Sequence, residues 1–81
     1  MEQYRNYGGG SNVKSYSIGD TYIKVSFNKS TKVYTYSYKS AGVENVEQMK
    51  KLARQGYGLN SFINKNVKYD YERWLILQLR G

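Results

Sequence analysis

Three tyrosines alternate with small or β-branched residues in Val33-Tyr34-Thr35-Tyr36-Ser37-Tyr38. A period of two in residue types suited to pleated backbone predicts a β-strand with its three rings on one face. The neighbouring segments must then supply strands to pair with it and a layer to cover those rings.

The upstream residues supply the strands. Tyr16 and Ile18 alternate before Gly19-Asp20, and Ile23, Val25 and Phe27 alternate after it. A two-residue turn at Gly19-Asp20 predicts a hairpin that pairs Tyr16 with Ile23. The next break is Asn28-Lys29-Ser30-Thr31. A loop of two residues (Lys29 and Ser30) or four (Asn28 to Thr31) sets Phe27 opposite Lys32, Val25 opposite Tyr34 and Ile23 opposite Tyr36. A three- or five-residue loop would exchange the faces of the third strand. The first register is preferred because it gathers Tyr16, Ile18, Ile23, Val25, Phe27, Tyr34, Tyr36 and Tyr38 on one apolar face. Tyr22, Lys24, Ser26, Val33, Thr35, Ser37 and Lys39 then share the other.

A helix over Val43 to Gln55 can cover the apolar face, with Val43, Val46, Met49, Leu52 and Ala53 recurring at helical spacing. Its start reads either as Asn45 with Gln48 in a capping box or a turn earlier near Gly42, and Gly56 marks its end. Lys50, Lys51 and Arg54 fall in its last turns. There they complement the helix dipole, with Glu47 and Lys51 as an i,i+4 pair, or else form a site for a polyanion. Beyond Gly56-Tyr57-Gly58, read as a tight reversal, Leu59, Phe62, Ile63 and Val67 predict a short second helix, with Lys65 and Lys68 on its polar side. The run Trp74-Leu75-Ile76-Leu77-Gln78-Leu79 reads as a buried fourth strand or an oligomer contact, since several exposed apolar side chains would invite association.

The predicted architecture is therefore α+β. A three-stranded antiparallel meander, with a fourth C-terminal strand as an option, is covered on one face by an α-helix and a second short helix. Residues 1–12, ending in Gly8-Gly9-Gly10-Ser11-Asn12, read as a flexible tail, and residues 13–81 as one domain in which 70–81 is the least legible part.

Composition bounds the chemistry. The 81 residues include no cysteine and no histidine, which removes disulfides, Cys and His nucleophile systems and nearly every transition-metal site. Glu44 and Glu47 on a solvated helix side, and Asp70 and Glu72 on an extended segment, give no sign of a cleft for acid–base work. The expectation is no catalytic residue, no cofactor and no metal. Thirteen Lys and Arg against six acids give a net charge of +7, enough to attract polyanions. With no run long enough to span a membrane and no signal-peptide pattern, a cytoplasmic protein without membrane contact is expected.

The order of Tyr34-x-Tyr36, then Ala53 and Gly56, then Leu59-Asn60 and Ile63 resembles the KTSX domain. That family is a small module found alone in bacterial and phage proteins and appended to some lysyl-tRNA synthetases. The resemblance spans about residues 15–69; it departs at Gln55, where a basic residue is expected, and at Arg54, which replaces a serine. The family has no established activity, and what the resemblance implies is limited to an association with RNA, suggested by its attachment to a tRNA-charging enzyme.

Two functions follow as expectations. One is RNA binding through a basic surface, with Lys50, Lys51, Arg54, Lys65 and Lys68 on phosphates and Tyr22, Lys24 and Tyr57 offering cation and stacking contacts. The other is a phage or mobile-element interaction module that binds an acidic protein surface, with self-association through Trp74 to Leu79 as a further option.

Overall fold

In the computed structural model, which describes residues 1–76, five strands form one antiparallel sheet in chain order. They are β1 (Glu2–Gln3), β2 (Val13–Ile18), β3 (Tyr22–Phe27), β4 (Lys32–Ser37) and β5 (Arg73–Ile76). Between β4 and β5 run α1 (Tyr38–Ala41), α2 (Val43–Gln55) and α3 (Leu59–Phe62), the last continuing as a π-helical turn over Ile63–Val67. The protein is thus a small α+β domain whose sheet has two strands more than the expected meander of three, and one more than the four-stranded option.

The register of β3 on β4 is the expected one, with Val25 opposite Tyr34 and Ile23 opposite Tyr36. In the first hairpin Tyr16 faces Val25 and Ile18 faces Ile23, not Tyr16 facing Ile23. Gly19 N–H bonds Tyr22 C=O at 3.0 Å, so the turn is centred on Asp20-Thr21, one residue later than expected. Moving the turn by one residue moves each pairing by two, and an even shift leaves every side chain on its expected face. Between Val13 and Ser15 the pairing slips at a β-bulge. The extra residue brings Val13, three positions from Tyr16, onto the same buried side, where both are less than 10 % exposed.

Under the helices lie Tyr16, Ile23, Val25 and Tyr36 from the sheet, with Val46, Met49, Ala53, Leu59, Ile63 and Val67 above them. Each buried Val, Ile, Leu or Met side chain among them contributes about 1.5–3 kcal/mol relative to exposure. Tyr38 does not continue the strand face, because Ser37 stops β4 and caps α1. Ser37 Oγ accepts from Ser40 N–H and Ser40 Oγ accepts from Ser37 N–H, both at 3.1 Å. The capping box thus lies there, while Asn45 donates to Ala41 C=O at 2.9 Å from inside α2, which starts after Gly42. Val43, at the first position of α2, is 54 % exposed, and Lys50 takes a buried place on the stripe instead.

The segment expected as a flexible tail carries β1, which pairs with β2, and places Tyr4 in the core at 3 % exposure. Tyr4 Oη accepts from Leu59 N–H at 3.2 Å, one of the donors a helix start leaves free. Gly56 makes the docking of this segment possible. Its φ of 75° ends α2 in the left-handed region, its carbonyl accepts from Tyr7 N–H at 2.8 Å, and a Cβ there would meet Arg5 Cβ at 2.9 Å.

Strand β5 confirms a C-terminal strand, but its four residues are exposed. Trp74 pairs opposite Tyr34, on the helix side of the sheet, yet lies past the edge of the helical layer, where Lys32 Nζ stands 4.2 Å from its ring centroid. Leu77, Gln78 and Leu79, the rest of that apolar run, lie outside the described residues.

Candidate nucleic-acid interface

The expected binding residues divide between two sides of the molecule. Tyr22 and Lys24 belong to the uncovered sheet face, with Lys24 Nζ 5.7 Å from the Tyr22 ring centroid, in a shallow depression shared with Thr35, Ser37 and Arg73. Lys51, Arg54, Tyr57, Lys65 and Lys68 are exposed on the helical layer. No single site holds both groups.

Lys50 belongs to neither group. It is 5 % exposed and its ammonium is fully engaged: 2.7 Å from Glu47 Oε2, 2.8 Å from Asp20 C=O and 5.3 Å from the Tyr38 ring centroid. Tyr38 Oη donates to the same Glu47 carboxylate, which both donors hold below the usual carboxylate range, Lys50 most strongly. The bond to Glu47 in turn raises Lys50, keeping it charged. The cation ties α2 to the β2–β3 turn, and Glu47 pairs with Lys50 at i,i+3, not with Lys51. Phosphate would have to displace this network.

Among the described residues only Lys50 and Arg73 have a carboxylate within 4.0 Å. Lys51, Arg54, Lys65 and Lys68 therefore present uncompensated charge. They are spread along the layer: Arg54 borders a depression over Tyr16 and Glu2 at the β1–β2 end, and Lys68 lies at the opposite end beside Tyr69, 5.4 Å from its ring centroid. Tyr57, 59 % exposed, stands between them, its ring against Gly8, where a Cβ would come within 2.8 Å of it. Gly8 thus has a packing role that the composition of the glycine run does not suggest, while Gly9 and Gly10 face open space.

The sequence reading missed a cleft of about 360 Å³ between the turn end of the β3–β4 hairpin and the α3–π segment. Its walls are rings in edge-to-face contact: Phe27 with Tyr34 at 5.6 Å, Tyr34 with Tyr71 at 4.8 Å and Tyr36 with Tyr71 at 6.2 Å between centroids. Asn60, Asn64 and Lys68 line it from the helical side. Spacing of four drifts around an α-helix of 3.6 residues per turn, and the wider π turn draws it back, so the three stay in one row. Burial chiefly, with Tyr34, Tyr71 and Asp70 nearby, pushes the Tyr36 hydroxyl well above the ordinary tyrosine range, so it stays protonated. An adjoining depression of about 430 Å³, bordered by Tyr57 and the Gly8–Gly10 loop, shares Asn60. The row Asn60-x3-Asn64-x3-Lys68 was the one legible trace of this cleft.

Among the described residues no three His, Cys, Asp or Glu side chains are grouped to hold a metal ion, and no helix is long and apolar enough to cross a membrane. No family model, curated protein or solved structure matches this chain.

Proposed function

We propose that the protein is a non-enzymatic, cytoplasmic binding module that holds single-stranded RNA on its helical layer. The observation that carries this reading is the set of exposed, carboxylate-free cations, Lys51, Arg54, Lys65 and Lys68, beside the exposed rings of Tyr57 and Tyr69. Phosphate affinity comes from such cations, and sequence-tolerant contact with bases comes from rings that can stack. A KTSX-like identity is part of the same proposal, supported by the strand–strand–helix–helix order and the helix stop at Gly56.

A second reading has its own support in β5. Trp74, Leu75 and Ile76 are 41 %, 61 % and 57 % exposed on the last strand described, a surface suited to a protein partner or a second copy. Affinity capture from cells, with and without nuclease, separates the two. Co-purifying RNA that nuclease removes supports the first reading. A stoichiometric protein that survives nuclease, with no RNA recovered, would replace it with the second.

A further inference from the structure

We infer that the cleft between the β3–β4 hairpin and the α3–π segment is a pocket for one unstacked base of a single RNA strand. This rests on the RNA reading and adds the element it lacks, a place where a base and not only a phosphate is recognised.

The shape suits a small planar ligand: about 360 Å³ lies at the low end of ligand pockets, which run from about 300 to 1,000 Å³. Phe27, Tyr34 and Tyr71 give aromatic walls. The polar groups are of the kind that read a base edge. Asn60 and Asn64 each offer a carboxamide with donors and an acceptor, the pairing that matches the mixed edges of nucleobases. At the floor, Tyr36 is 1 % exposed and borders the cleft. Its phenol hydroxyl can both donate and accept a hydrogen bond.

Charge also selects the ligand. Among the described residues that line the cleft there is no carboxylate and one cation, Lys68, which stands where it can meet the phosphate of an inserted nucleotide; the nearby Asp70 acts on Tyr36 from outside the lining. The neighbouring depression, joined through Asn60 and flanked by Tyr57, gives the adjacent nucleotide a path along the layer. A π-helical turn in the wall is itself a geometry that recurs at binding sites.

The test compares an RNA oligonucleotide with an abasic one of the same length and salt, using the full chain and an Asn60→Ala/Asn64→Ala variant whose fold is checked by circular dichroism. Stacking one base changes affinity by about fivefold or more. The expected result is at least fivefold tighter binding of the base-bearing strand, a ratio that drops towards one in the variant, and side-chain amide NMR shifts at Asn60 and Asn64 with that strand only. Equal, salt-sensitive binding of both strands would overturn the pocket and leave the RNA reading standing. Binding of neither strand would overturn both. Asn60 and Asn64 shifts with a neutral oligosaccharide and none with RNA would assign the cleft to another ligand class and overturn the base pocket.

Discussion

The two faces of the sheet come from the same strands, residue by residue, and differ in almost everything else. On the covered face Tyr16, Ile23, Val25 and Tyr36 are buried under the helices. On the other, Ser15, Ser17, Ser26, Thr35 and Ser37 alternate with them, and the two that are buried find hydroxyl partners, Ser26 in Ser15 and Ser37 in Ser40. Tyrosine shows the difference most clearly. Tyr36 is a wall and floor of the fold, and Tyr22, on the opposite face, has Lys24 for company and no role in the core. A ring's function is set by which side of the pleat it occupies, and a period of two assigns that side.

Substitution within one strand gives the largest contrast. Tyr36→Ala should cost about 3–5 kcal/mol in unfolding free energy, and Thr35→Ala, the next residue on the opposite face, about 1 kcal/mol or less. Urea unfolding of the two variants measures this. Similar losses would mean that the faces are not divided as described. Tyr4→Ala belongs with the first group, also at about 3–5 kcal/mol, because β1 brings Tyr4 under the same layer.

The contrast between adjacent lysines on α2 is smaller. Lys50→Ala removes the bond to Asp20 C=O and the partner of Glu47, and should destabilise by about 1–2 kcal/mol. Lys51→Ala should change stability by about 0.5 kcal/mol or less and, under the proposed function, weaken RNA binding instead.

The pH dependence is expected to be weaker but signed. Tyr36 has a raised folded value, so its contribution is complete below the unfolded value of about 10 and is lost as pH climbs from there towards the folded one. Glu47 has a lowered folded value, so its contribution is present above the unfolded 4.5 and fades as pH falls through the folded value. Thermal midpoints should therefore decline at both extremes. Tyr36→Phe should flatten the alkaline limb and Glu47→Gln the acid one.

How much of this was legible follows from range. Alternation and helical spacing are local, so β2, β3, β4 and α2 could be read directly, and the β3–β4 register followed from which pairing makes one face apolar. The burial of Tyr4 was hidden because it depends on Gly56, more than fifty residues away, leaving room for the chain to dock. Lys50 looked like its neighbour Lys51 because the groups that hold it, Asp20 C=O and Tyr38, come from other elements. The cleft escaped for the same reason: Phe27, Tyr34 and Tyr71 converge only through tertiary packing, and only the Asn60, Asn64, Lys68 row leaves a trace in sequence. The run from Trp74 read as a buried strand or an oligomer contact; its described part is a strand, but at the sheet edge Trp74, Leu75 and Ile76 are exposed.

Under the proposed function, the side of the molecule that would hold RNA can be measured by the dependence of affinity on salt. For a single strand each neutralised phosphate contributes about 0.7 to the slope of log K against log salt. The four helix-side cations therefore predict a slope of about −3. Replacing Lys51, Arg54, Lys65 and Lys68 with glutamine should flatten it almost to zero, and Tyr22→Ala with Lys24→Gln should leave it unchanged. A slope that survives the first set of changes and collapses with the second would place the interface on the uncovered sheet, and undetectable binding at low salt would contradict the RNA reading altogether.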